Sequence, residues 1–169
     1  MPIPGLQYSD EQLFGACQLV MPAWALLILA PRFKASQAVA GVTIGFYAIF
    51  YTLLMAHATT SGGGMKLEDF NSLAGVRGLL VHPDITLAAW VHYLAFDLFT
   101  ALMVTRYNLS RGEATVPLVL MAPVLFFTCM AGPVGLCAFA VLHALFNAAR
   151  GQQQQRSAPA AAAAPKKST

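Results

Sequence analysis

Long apolar runs constrain this chain more than any other feature of its sequence. Four segments each hold the roughly 20 apolar residues that are needed to cross about 30 Å of hydrocarbon. They cover residues 12–30, 36–59, 85–105 and 116–146. Only 10% of the residues are charged and 57% are hydrophobic, whereas soluble proteins average about 25% charged. We therefore predict an all-α membrane protein with four transmembrane helices.

The fourth apolar run is longer than one straight span requires and too short for two. It contains Pro123 and the sequence AGPVG at 131–135. Proline removes a backbone donor and bends or breaks a helix. We predict one kinked helix that opens near Pro133.

Two segments are more polar than the apolar runs. One is the connection between the second and third runs, and the other is the end of the chain. After the triple glycine at 62–64, five apolar residues recur near helical spacing, at Leu67, Phe70, Leu73, Ala74 and Leu80. This pattern indicates a short amphipathic helix in the membrane interface. Residues 151–169 contain a glutamine run and an alanine run and are predicted to be a disordered tail. The transmembrane domain is therefore expected to cover residues 1–150.

The distribution of basic residues leaves the orientation open. Arg32, Lys34, Arg106 and Arg111 favour the loops between helices one and two and between helices three and four as the cytoplasmic side. The second connection and the tail carry the other basic residues, and an even number of helices would place them together on the opposite face.

Several classes of function find no support in the sequence. A formal net charge of +3 is too small to suggest nucleic acid as a partner. The cysteines lie inside apolar runs without metal-ligand spacing, so no metal site is predicted. Phosphate-binding glycine motifs are absent, and no matching pair of broken helices suggests a transporter.

Asp97 is the one carboxylate inside a predicted span. A charged group at that depth costs a few kcal/mol on insertion scales (~3), so it requires a partner or a function. Helical spacing places Asp97 on one face with Trp90 and Tyr93. Apolar surroundings favour the protonated carboxyl, which makes Asp97 a candidate proton donor. The alternative is a carboxyl that holds helices together by hydrogen bonds, and the sequence does not decide between them.

The histidines suggest a pocket around this carboxyl. If the helices alternate in direction, one half of the protein contains His57, His82, His92 and His143, together with Arg77 and Arg150. A polar pocket could open there, with Asp97 at its floor and aromatic walls formed by Tyr47, Tyr51, Trp90 and Tyr93. Taken singly, each histidine is better explained as an ordinary interfacial residue. His92 and Asp97 lie five residues apart, about 140° around a helix, and do not share a face.

Three motifs resemble a known family. They are FNSLAGVRGLL at 70–80, WVHYLAFDLF at 90–99 and GPVG at 132–135, and MPAWALLILAPR at 21–32 is also similar to the family's opening. Together they resemble the abscisic-acid-deficient-four-like family of small four-helix membrane proteins from plants, algae and bacteria. The resemblance covers the chain to about Arg150.

The resemblance implies a role in carotenoid metabolism. The plant members are implicated in making neoxanthin from violaxanthin, a redox-neutral isomerisation of an epoxide to an allene that consumes no cofactor. We hypothesise that Asp97 is the acid, His92 the base and Arg77 a positioning group. Trp90, Tyr93, Tyr47 and Tyr51 would contact the lipophilic substrate.

Other functions stay open at this stage. The chain could be a non-catalytic binding or assembly subunit for a pigment enzyme. It could also be a b-type haem protein that uses two of His57, His92 and His143, and a small channel is a further alternative. The expected surroundings are the lipid bilayer of a bacterial inner membrane or a plastid, with a partner enzyme or a second copy of the chain.

Overall fold

A computed structural model describes residues 9–60, 65–110 and 115–162, and all regular structure in these ranges is helical. The helices are α1 Asp10–Gly15, α2 Val20–Leu29, α3 Lys34–Thr60, α4 Leu73–Leu80, α5 Pro83–Leu109, α6 Leu118–Ala131 and α7 Pro133–Ala162, with 3₁₀ turns at Ala16–Leu19 and Leu67–Asn71. By length and composition four stretches can cross a membrane: Glu11–Leu29, Lys34–Thr60, Ile85–Leu109 and Pro133–Gln153. The predicted all-helical membrane protein with four such helices is confirmed.

The first three spans form an up-down-up bundle around one apolar core. At one end of α3 and α5, Nε of Arg106 donates to Oε1 of Gln37 at 3.4 Å, and towards the other end Tyr51 contacts His92. These two helices are therefore antiparallel. The first span, Glu11–Leu29, runs in the same direction as α5, because Phe14 contacts Trp90 near the start of both. Their shared core is lined by large buried side chains, including Trp24, Leu27, Tyr47 and Leu98, and helix α6 adds Leu125.

A short helix joins the second and third spans, as the sequence predicts. Helix α4 begins after Ser72, whose hydroxyl accepts a hydrogen bond of 3.0 Å from the backbone N–H of Gly75. Gly75 lies directly against the backbone of Asp69, where a side chain would not fit. The large apolar side chains of Leu67, Leu73 and Val81 are exposed, as suits a segment that lies in the interface.

Helices α6 and α7 form an antiparallel hairpin whose turn lies at mid-depth in the bundle. Helix α6 starts beside the end of α5, where the amide of Asn108 pairs with the backbone of Val116. Its last residue precedes Gly132, which lies against Asp97 near the middle of α5. The chain then reverses, and α7 runs alongside the second half of α5 until Phe139 and His143 contact Tyr107.

This reversal corrects two predictions. The run 116–146 is not one kinked helix, because two proline-bounded helices fold back on each other at Gly132. In consequence His143 and Arg150 lie towards the end of the bundle that holds Arg106, away from His57, His82 and His92. The predicted grouping of all four histidines in one half of the protein is therefore wrong.

Part of the segment that the sequence predicts as a disordered tail is described as helix. Helix α7 continues through Ala162, and residues 163–169 lie outside the described part of the chain. Alanine and glutamine are among the better helix formers, so the same low-complexity sequence extends the helix beyond the apolar segment.

The close approach of α6 and α7 at Gly135 yields a stability prediction. A Cβ at Gly135 would overlap the backbone and hydroxyl of Thr128 on α6. We expect Gly135→Ala to lower the free energy of unfolding by about 1–3 kcal/mol, because an overpacked contact must shift. Gly41→Ala in α3 is the matched control, since nothing lies within 4 Å of its added carbon. Equal thermal midpoints of the two variants in detergent would contradict the close hairpin.

The hairpin also yields a prediction about topology. In a background without the native cysteines, single cysteines replace Phe33, Lys66 and Gln152 and are labelled with a membrane-impermeant maleimide. We expect Phe33→Cys and Gln152→Cys to react from one face and Lys66→Cys from the other. The face of Phe33 and Gln152 also carries the basic residues Arg32, Lys34, Arg106 and Arg150, whereas the opposite face carries Lys66 and Arg77. Because basic residues are more frequent on the cytoplasmic side, the face with more of them is expected to be cytoplasmic. Labelling of Gln152→Cys and Lys66→Cys from the same face would contradict the reversal.

Candidate functional site

Asp97 faces a cavity at mid-depth between the first span, α5 and the α6–α7 turn. The cavity has a volume of about 490 Å³, within the range of roughly 300–1,000 Å³ that is typical of small-molecule sites. Its walls are mostly apolar or aromatic and include Phe14, Trp24, Trp90, Tyr93 and Cys129. The carboxyl is the one ionisable carboxylate in this lining.

The surroundings of Asp97 leave its carboxyl available to a ligand. Among the residues that the structure describes, it has no hydrogen-bond or ion-pair partner. Gly132 lies so close that a Cβ at this position would overlap the carboxyl group. Glycine is therefore required at the turn for the carboxyl to occupy this place. Because α7 begins at the next residue, Pro133, the positive end of its helix dipole lies beside Asp97.

A second cavity continues the first towards the membrane surface. It has a volume of about 830 Å³ and shares Phe14, Trp90 and Tyr93 with the Asp97 cavity. Its outer end reaches Leu80 at the end of α4 and Glu11 at the start of the first span. We call the two cavities together the Asp97 groove. It follows α5 from Pro83 to Asp97, about 21 Å at 1.5 Å per residue.

The structure brings together some of the predicted site residues and separates others. Trp90 and Tyr93 line the groove with Asp97, as their helical spacing suggests. Arg77 is exposed on α4 and lies outside the lining of the groove. Tyr47 is fully buried, and its hydroxyl donates to the carbonyl oxygens of Ala16 and Cys17, both at 3.0 Å. Tyr47 thus supports the 3₁₀ turn in the first span.

His92 and Tyr51 face a different cleft. It lies between α3 and α5, has a volume of about 310 Å³, and is also lined by Phe96 and Phe99. We call it the His92 cleft. The structure therefore does not bring His92 to Asp97, and its role as the base stays a prediction that the geometry does not support.

Sequence reasoning missed several residues of the groove. Phe14, Trp24 and Cys129 line the cavity around Asp97, but each is an ordinary apolar residue within its own run. For Gly132 the sequence did give an indication, since the glycine–proline pair marks a break in an apolar segment. What the pattern could not show is that this break lies opposite Asp97.

The described residues offer limited ligands for a metal or haem. They contain no group of three or more His, Cys, Asp or Glu side chains that could hold a metal ion. Of the three candidate haem ligands, His143 contacts Tyr107 near the end of α5. His92 lies against Tyr51 and Phe96 in the opposite half of the bundle. Haem ligand pairs that include His143 are therefore not brought together.

The fold and the groove define a class: a small multi-pass helical membrane protein with a lateral apolar groove that ends on one carboxyl. Residues 12–139 match the family model ABA4-like, described as ABA DEFICIENT 4-like. Since this match covers more than half of the chain, the protein belongs to the ABA DEFICIENT 4-like family, which links it to neoxanthin and carotenoid metabolism. No curated protein and no solved structure matches the chain.

The contact between Gly132 and Asp97 can be tested by a double-mutant cycle. We expect Gly132→Ala to lower the thermal midpoint, because the new methyl group displaces the carboxyl. In an Asp97→Ala background the same change should cost about 1 kcal/mol less, since the overlap is relieved. The measurement is thermal unfolding of the four proteins in one detergent. Additive effects would contradict the contact.

Proposed function

We propose that this protein isomerises a carotenoid epoxide, such as violaxanthin, to an allenic product such as neoxanthin. The observation that carries the proposal is Asp97, an unpartnered carboxyl among the described residues, at the inner end of a long apolar groove. Family membership supports the substrate class, and the groove suits a long apolar chain with a ring at one end.

The groove matches what such a substrate requires. A carotenoid is dissolved in the bilayer, so its site must be reached laterally or from the interface rather than from water. The aromatic side chains of Phe14, Trp90 and Tyr93 border both cavities of the groove. They can contact the polyene in its passage towards Asp97, where the ring with the epoxide would lie.

Asp97 can perform both proton transfers of the isomerisation. The protonated carboxyl gives its proton to the epoxide oxygen, and the bond from that oxygen to the carbon next to the polyene breaks. The resulting carboxylate removes the proton from the neighbouring chain carbon, and the electron pair of that C–H bond forms the second double bond of the allene. The proton count is unchanged, and no oxidant or reductant is consumed. The α7 dipole stabilises the carboxylate between the two steps.

Exclusion of water would protect this chemistry. Opening the epoxide develops positive charge on a carbon conjugated with the polyene, and water would trap it as a diol. The lining of the Asp97 cavity is mostly apolar, with the amide of Gln18 as a further polar group, and Gly132 lies against the carboxyl at the α6–α7 turn. A dry pocket therefore favours loss of the proton over addition of water.

The proposal predicts that Asp97→Asn abolishes product. Asparagine keeps the shape of the side chain but can neither give nor accept the proton, so we expect turnover to fall at least about 100-fold, typical of a lost general acid. The measurement is chromatography of pigments from bacteria that accumulate violaxanthin and express the wild type or the variant.

The matched control is Glu68→Gln, which also neutralises a carboxylate but on an exposed residue outside the groove. It should leave the allenic product unchanged at equal protein levels. Allenic product from Asp97→Asn at the wild-type level would refute the acid role. No conversion by membrane-inserted wild type would instead favour a non-catalytic binding or assembly subunit.

A further inference from the structure

The His92 cleft is a separate cavity that the proposed function does not use. It lies between α3 and α5 and shares none of its lining residues with the Asp97 groove. With about 310 Å³ it lies at the lower limit of the range for small-molecule pockets. This volume holds a single ring rather than a whole lipid.

The walls of the cleft are flat aromatic rings. The imidazole of His92 stacks on Phe96 with a centroid distance of 4.5 Å and an interplanar angle of 24°. The Tyr51 ring lies 5.3 Å from the same imidazole. Phe96 and Phe99 are 57% and 45% exposed, so the slot opens towards the surrounding lipid. These rings contact one another and form an aromatic wall of the cleft, against which a further ring can pack.

Two polar groups in the cleft have no hydrogen-bond partner among the residues that the structure describes. Neither the hydroxyl of Tyr51 nor a ring nitrogen of His92 has a hydrogen bond within the described ranges. The nearby hydroxyl of Thr52, by contrast, donates to the carbonyl oxygen of Ala48 at 2.8 Å. His92 lies nine residues into α5, about 13 Å along the helix, where hydrocarbon offers no partner. Unsatisfied polar groups at that depth are costly.

We propose that the His92 cleft binds the oxygen-bearing ring of a membrane-soluble lipophile, with His92 and Tyr51 donating hydrogen bonds to the ring oxygen. Both side chains offer a donor, an imidazole N–H and a phenolic O–H, so the matching group is a carbonyl or hydroxyl oxygen. No lysine or arginine lines the cleft, which argues against a phospholipid phosphate. A quinone and the ring of a hydroxylated carotenoid share the required chemistry.

The test is a binding titration of the purified full-length protein in lipid nanodiscs. Decylubiquinone and zeaxanthin serve as separate probes, and bound ligand is measured by chromatography after removal of the free ligand. We expect one of them to bind with a stoichiometry of about one per chain. Its dissociation constant should rise about fivefold to tenfold in His92→Phe and in Tyr51→Phe, because each loses one hydrogen bond but keeps an aromatic ring.

Glu68→Gln is the control, because Glu68 is exposed and lies outside both the cleft and the Asp97 groove, and it should bind the same probe as tightly as the wild type. Sensitivity to His92→Phe and Tyr51→Phe with decylubiquinone supports a quinone, and the same sensitivity with zeaxanthin supports a carotenoid ring. Binding of neither probe would overturn the proposal. So would binding that is unchanged in His92→Phe, or that Glu68→Gln weakens as much as His92→Phe does. None of these outcomes depends on whether the protein isomerises an epoxide.

Discussion

Hydrocarbon offers no hydrogen bonds to a broken helix, and the whole architecture follows this constraint. The first span is interrupted by the 3₁₀ turn Ala16–Leu19, and the carbonyl groups of Ala16 and Cys17 are satisfied by Tyr47 from the neighbouring span. The turn at the base of α6 is held by Asn108, whose side chain pairs with both polar backbone groups of Val116. Both of these interruptions are thus covered by a polar side chain of another segment.

The break at Gly132 differs, because the polar side chain beside it has no partner among the described residues. Asp97 lies against this glycine, and the cavity in front of it is bounded by the first span. A straight fourth helix in this place would bring side chains to the middle of α5 and fill the space. The reversal of the chain instead leaves room for a ligand at Asp97.

The sequence predicts those features that depend on local pattern. The length of the apolar runs was sufficient to predict the candidate spans. The helical spacing of 100° per residue predicted that Trp90 and Tyr93 share a face with Asp97. Features that depend on which neighbouring segment each helix face packs against could not be predicted. A glycine–proline pair permits either a kink or a reversal, and the choice decides where His143 lies. Likewise Tyr47 and Tyr51 are four residues apart, yet one supports a backbone turn and the other opens onto a cleft.

The α6–α7 hairpin has a consequence for how the protein is made. The turn at Gly132 leaves unpaired backbone groups of two helix ends at a depth where water is absent. The hairpin is therefore unfavourable in lipid until its turn lies beside the middle of α5 and Asn108 pairs with the start of α6. The second and third spans need no such support, since each is one continuous helix long enough to cross the membrane. We therefore expect the hairpin to dock last, onto a surface that the first three spans have already built.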